Sequence, residues 1–66
     1  MNRIKEIRMG KGLSQVELAR RAHVAAQNLS AVERGRLVAW PKLRRSLVRI
    51  LGVPEVELFP NGRMEI

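Results

Sequence analysis

The strongest structural signal in this 66-residue chain lies in residues 14–35, SQVELARRAHVAAQNLSAVERG. Ser14 is followed three residues later by Glu17. This is a capping box, in which the hydroxyl accepts a free backbone N–H and the glutamate reaches back to the cap. The box predicts a helix over about 15–21, and apolar spacing predicts a second helix over about 26–34. The segment therefore predicts two short helices joined by a tight turn.

Three further helices are predicted outside this segment, and no part of the chain has the pattern of a strand. Ile4 and Ile7 mark one face of a first helix, and Pro41 suits the first turn of a fourth. The predicted helices outside the central segment cover about 2–10, 41–51 and 54–58, and residues 59–66 form a tail. We expect a single all-α domain over 1–66 with a compact five-helix fold.

The composition indicates a polyanionic partner. Thirteen lysine and arginine residues oppose six acidic residues, for a net charge of +7. Such a surplus favours nucleic acid or an anionic membrane surface, although it also keeps a small domain soluble. No predicted helix combines a basic face with a broad apolar face, so we expect no membrane binding. No long apolar run follows Met1, so we expect a cytoplasmic protein without a membrane span.

The sequence offers no catalytic constellation. It contains no cysteine and a single histidine, and no glycine-rich phosphate loop or paired acid and base is recognisable. We therefore expect no enzyme activity, no metal, no cofactor and no site for a small-molecule effector.

The chain resembles the Cro/phage-repressor type of helix-turn-helix, also called the xenobiotic response element family. The resemblance covers about residues 2–59. It is carried by the segments IKEIRMGKGLSQVELA, NLSAVERG, LVRILGV and ELF. It implies a lambda-repressor-like DNA-binding domain, in which the helix over 26–34 is the recognition helix and enters the major groove of double-stranded DNA.

The resemblance also implies which residues contact DNA. Gln27 and Asn28 lie in the first turn of the recognition helix, and amide side chains can pair with adenine through two hydrogen bonds. A solvated surface role for Gln27 and a local backbone hydrogen bond for Asn28 remain open. The residues expected to contact bases are Gln27, Asn28, Ser30 and Ala31. Those expected to contact the DNA backbone are Gln15, Arg34, Arg36, Lys42 and Arg44, with plain solvation as the alternative.

The remaining cations are expected to be general surface charge: Arg3, Lys5, Arg20, Arg21, Arg45, Arg49 and Arg63. Arg8 and Glu33 are different, because each lies beside the apolar stripe of its predicted helix. In the family such a pair joins the first helix to the end of the third, so we expect a structural ion pair.

A homodimer is expected because so small a domain has little core in which to bury the apolar residues of its last helix and tail. Trp40 either covers the end of the core or anchors the dimer. The residues expected at the dimer interface are Trp40, Phe59, Met64 and Ile66. A two-fold dimer would set two recognition helices about 34 Å apart.

Three departures from the family pattern affect the motif. His23 stands where the family usually has glycine, which costs about 1 kcal/mol if the backbone there is left-handed. Ala25 replaces a capping serine or threonine, a loss of roughly 0.5–2 kcal/mol. Ala26 and Ala31 replace long polar side chains, which leaves base reading to fewer residues, to methyl contacts with thymine and to DNA shape.

The function expected from these features is that of a sequence-specific transcriptional regulator, a repressor that acts by occupying its operator. The alternative is an antitoxin-like interaction module, which binds a partner protein and regulates its own expression through DNA.

Overall fold

The computed structural model describes residues 2–60, which form five α-helices and no strand. The helices are α1 (Ile4–Gly10), α2 (Gln15–Arg21), α3 (Ala26–Glu33), α4 (Pro41–Leu51) and α5 (Glu55–Leu58). The predicted all-α, five-helix class is confirmed, and the bounds agree with the predicted ones to within two residues. Met64 and Ile66 of the expected dimer interface lie outside the described residues.

Helix α1 begins at Ile4 rather than at residue 2, because the Asn2 side chain acts at its start. Asn2 Oδ1 accepts the Ile4 N–H at 3.1 Å, and Asn2 Nδ2 donates to the Val32 carbonyl at 2.8 Å. One side chain thus satisfies a free donor at the start of α1 and ties this end of the chain to the last turn of α3.

Helix α2 begins at the predicted cap, but only half of the capping box forms. The Ser14 hydroxyl accepts the Glu17 N–H at 3.0 Å. The Glu17 carboxylate does not bind the Ser14 N–H; it accepts hydrogen bonds from Arg20 at 2.7 Å and Arg21 at 2.9 Å. These two bonds lower the pKa of the Glu17 carboxyl. The arginines three and four residues later offer charged donors, which bind a carboxylate more strongly than a backbone N–H does.

The turn between α2 and α3 has the left-handed geometry that glycine usually supplies. His23 has a φ of 58°, and it is the only non-glycine residue with a positive φ among the described residues. The Val24 N–H then donates to the Ala19 carbonyl at 3.0 Å, which closes the end of α2. Ala25 is extended and precedes α3 without a side-chain cap. The turn is therefore held by backbone bonds and by Val24, which packs against the core.

Every helix contributes to one apolar core. Leu18 of α2 and Leu29 of α3 are fully buried where the two helices of the motif meet. The other large, fully buried side chains are Ile4, Val32, Leu43, Leu47, Leu51 and Leu58. The Arg3 N–H donates to the Leu58 carbonyl at 2.9 Å, which joins the start of α1 to α5. Within residues 2–60, no helix is long and apolar enough to cross a membrane.

Candidate nucleic-acid interface

Helix α3 buries one side and exposes the other. Leu29, Val32 and Glu33 are buried, whereas Gln27 and Asn28 are exposed. Residues three, four and seven positions after Gln27 share its face of the helix. Gln27 and Asn28 are open to solvent, so a duplex can approach the start of this face.

The middle and end of that face carry the other residues expected to contact DNA. Ser30 and Ala31 are half-buried, and Arg34 is exposed just after the helix. Arg34 Nη1 donates to the Ser30 hydroxyl oxygen. This contact leaves the Ser30 O–H itself as a donor, and it holds the Arg34 side chain along the helix surface.

A buried polar network fixes α3 relative to α1 and α2. Arg8 and Glu33 form a bidentate ion pair, with Arg8 Nε donating to Glu33 Oε2 at 2.8 Å and Nη2 donating to Oε1 at 3.2 Å. Their side chains are only 8% and 2% exposed. Arg8 Nη1 also donates to the Leu13 carbonyl at 2.9 Å, and Gln15 Nε2 donates to Glu33 Oε1 at 3.1 Å. Four polar groups therefore lock the end of the exposed helix in place.

Gln15 belongs to this network and still has a free donor. Its amide nitrogen carries two hydrogens, and the bond to Glu33 uses one of them. Gln15 is also the first residue of α2, and the first backbone N–H groups of a helix have no partner within it.

The expected phosphate contact from Arg44 is not supported by the geometry. Arg44 is only 4% exposed, its Nε donates to Glu55 Oε2 at 2.8 Å, and its Nη2 contacts the same oxygen. Its guanidinium lies 4.1 Å from the centre of the Phe59 ring, a cation–π contact. Arg44 therefore joins α4 to α5 within the domain.

The same contact removes Phe59 from the expected dimer interface. Phe59 is 7% exposed and belongs to the core of its own protomer. Trp40, by contrast, is 38% exposed at the start of α4. On α5, Val56 is 61% exposed and is the larger apolar surface there.

The charges of the domain are distributed unevenly. Among the described residues, five arginines pair with carboxylates: Arg3, Arg8, Arg20, Arg21 and Arg44. Residues 34–54 contain six basic residues and no acidic one. Of these six, only Arg44 has an acidic partner within residues 2–60. Of the seven lysines and arginines in residues 2–60 that have no carboxylate partner, five thus lie in the segment that follows α3, and the other two are Lys5 and Lys11.

Arg45 and Arg49 belong to this group of five, although the sequence predicted only general surface charge for them. Arg45 and Arg49 line a surface groove together with Lys42. Their spacing of four residues on α4 and the absence of nearby acids were visible in the sequence. The proximity of α4 to the turn after α2 was not.

The fold and the exposed helix define a DNA-binding domain in which two helices and a turn form the binding motif. The family model for the helix-turn-helix domain matches residues 2–59, and the chain belongs to that family. This match confirms the predicted resemblance over the predicted range. A comparison with curated proteins finds no match to this chain.

Proposed function

We propose that the protein is a sequence-specific regulator of transcription, a cytoplasmic repressor that binds its operator as a homodimer. The observation that supports this best is the combination of an open polar face on α3 with a buried network that holds α3 rigidly. A rigid helix can present its side chains to base edges with little loss of conformational entropy on binding.

In this proposal the exposed face of α3 reads the bases. Gln27 pairs with adenine through its amide, and Asn28 reads a neighbouring base from the same turn. Ser30 donates its hydroxyl hydrogen to a base acceptor, and Ala31 packs against a thymine methyl group. With two alanines at the outer positions, few base pairs are read directly, so DNA shape contributes to the choice of site.

The flanking residues position the helix on the sugar–phosphate backbone. Gln15 donates its second amide N–H to a phosphate, next to the free N–H groups at the start of α2. Arg34, Arg36 and Lys42 are exposed and have no acidic partner among the described residues, so each can bind a phosphate without breaking an ion pair. These contacts set affinity and register rather than sequence preference.

Selection of bound sequences from a random pool of duplexes tests the proposal directly. We expect a preferred site, and a near-palindrome if the protein binds as a dimer. Enrichment of no sequence above background would contradict sequence-specific binding.

The enriched duplex then allows a test of base reading. Gln27→Ala should lower affinity for this duplex by about 1–3 kcal/mol and relax the preference at one or two base pairs. Arg36→Ala is the matched comparison, because it should weaken binding on every sequence and flatten the salt dependence of log K by about 1. An equal loss on all sequences for both variants would assign Gln27 to the backbone instead.

A further inference from the structure

A basic groove lies between the turn after α2 and the exposed side of α4. It has a volume of about 490 Å³, and its lining includes His23, Trp40, Lys42, Arg45, Ser46 and Arg49. No acidic residue contributes to this lining. Neither Lys42, Arg45 nor Arg49 forms an ion pair with any carboxylate of residues 2–60.

Three basic side chains of α4 lie in a row that an extended anion can contact. Positions 42, 45 and 49 share one face of the helix. At 1.5 Å per residue, Lys42 and Arg49 are about 10 Å apart along α4. The row is therefore long enough to contact more than one phosphate of a strand. Like charges at this spacing destabilise an isolated helix slightly, and a bound polyanion would remove that penalty.

The position of the groove favours DNA as this anion. His23 lies three residues before Ala26, so the groove adjoins the end of α3 that enters a major groove in helix-turn-helix domains. The major groove is about 12 Å wide and is bordered by phosphates on both sides. In the proposed function, Gln15 contacts a phosphate on one side of the major groove. Lys42 contacts a phosphate on the other side.

We propose that this groove seats the phosphate backbone of one operator strand, with Arg45 and Arg49 as additional phosphate ligands beside Lys42. The exposed part of Trp40 packs against a deoxyribose, and its indole N–H donates to a phosphate oxygen. The inference rests on the proposed function, and it adds DNA contacts along the strand that flanks the recognition helix.

The test compares three single variants that each remove one exposed positive charge. Arg45→Gln and Arg49→Gln alter the groove, whereas Lys5→Gln alters α1 outside it. Affinity for the selected duplex and for an unrelated duplex is measured as a function of salt. Each groove variant should weaken binding to both duplexes and flatten the slope of log K against log salt by about 0.9. Lys5→Gln should leave the slope unchanged. Circular dichroism and thermal unfolding establish that all three variants are folded.

Trp40 provides a second measurement, because it is the only tryptophan in the chain. Its fluorescence should change when either duplex binds, with the same midpoint as the affinity measurement. Groove variants with slopes equal to that of Lys5→Gln would overturn the proposal. The proposal would also be overturned if a polyglutamate peptide changed the Trp40 fluorescence while the groove variants bound both duplexes as tightly as the wild type does. The groove would then bind an acidic protein.

The two levels of inference fail in different ways. If the wild-type protein binds no duplex, the proposed function itself is wrong. If the wild-type protein selects a site and Gln27→Ala alters that selection while Arg45→Gln and Arg49→Gln have no effect, only the groove assignment is wrong.

Discussion

Glu33 connects three helices through the hydrogen bonds that its carboxylate accepts. It binds Arg8 of α1 with both oxygens and Gln15 of α2 with one of them, while it belongs to α3 itself. The position of Arg8 and Glu33 beside apolar stripes made the pair predictable. The contribution of Gln15 was not predictable, because the angle between α2 and α3 determines whether its amide reaches the carboxylate.

Removal of the Glu33 charge should destabilise the domain strongly. Glu33→Gln leaves the Arg8 guanidinium buried without a counter-ion, and loss of one partner of a buried pair costs about 3–5 kcal/mol. The measurement is the free energy of unfolding from urea denaturation followed by circular dichroism.

The control is the exposed pair formed by Arg3 and Glu6. Glu6→Gln also breaks an arginine–carboxylate contact, but both groups remain in water, so stability should hardly change. Equal losses for Glu33→Gln and Glu6→Gln would show that burial of the first pair has no energetic consequence.

The start of α3 is where the sequence departs most from an ideal helix. Ala25 occupies the N-cap with φ −63° and ψ 140°, which is the backbone geometry of a capping residue, yet it has no oxygen to offer. Helix α3 forms without a side-chain cap because Leu29 and Val32 are fully buried against the core. Tertiary packing thus replaces the local signal, as is common for short helices.

Ala25→Ser should stabilise the domain. The new hydroxyl can accept the free N–H of Gln27 without a change in backbone conformation, a gain of about 0.5–2 kcal/mol. For a domain of this size, 1 kcal/mol corresponds to a rise in Tm of about 4–8 °C, measured by thermal unfolding. Ala31→Ser is the control, since a serine within the same helix has no free N–H to cap. A Tm that does not differ between the two variants would rule out capping as the cause.

Local signals predicted most of the element boundaries, and they failed where a side chain makes a contact distant in sequence. Pro41 begins α4 and Gly52 ends it, as their backbone preferences require. Arg44 lies on the same helix and was predicted to contact the DNA backbone, because the start of the fourth helix flanks the backbone in the family that the chain resembles. Its partners, Glu55 and Phe59, are placed beside it only by the packing of α5. The same limitation concealed the groove beside Arg49.

At the scale of the whole molecule, the positive charge is concentrated in one part of a small domain. The acidic residues of the described chain are confined to α1, α2, the end of α3 and α5, which leaves the segment from Arg34 to Arg49 with basic residues only. The Cα atoms extend over 26 × 21 × 18 Å. Side chains add about 3 Å to each face of a helix. Two protomers packed side by side would therefore have centres about 24–32 Å apart, somewhat less than the roughly 34 Å that separates half-sites one helical turn apart.

The homodimer proposal predicts that a charge on α5 separates the protomers. Because Phe59 is buried, Val56 is the exposed apolar residue of α5, and we propose that it lies at the centre of the two-fold contact. Val56→Glu would place two carboxylates opposite each other across the axis. Sedimentation should then show a monomer at concentrations where the wild type is a dimer. Affinity for a palindromic duplex should fall by about 100-fold or more, whereas affinity for a half-site should be unchanged.

Met9→Glu is the matched control for this experiment. Met9 of α1 is 60% exposed, close to the 61% of Val56, so both variants add a carboxylate in place of an exposed apolar side chain. Only Val56→Glu should alter sedimentation, because α1 takes no part in the proposed contact. A wild-type protein that sediments as a monomer on the palindrome, with one protomer per duplex, would remove the dimer from the mechanism. Recognition would then depend on a single α3 and on the phosphate contacts beside it.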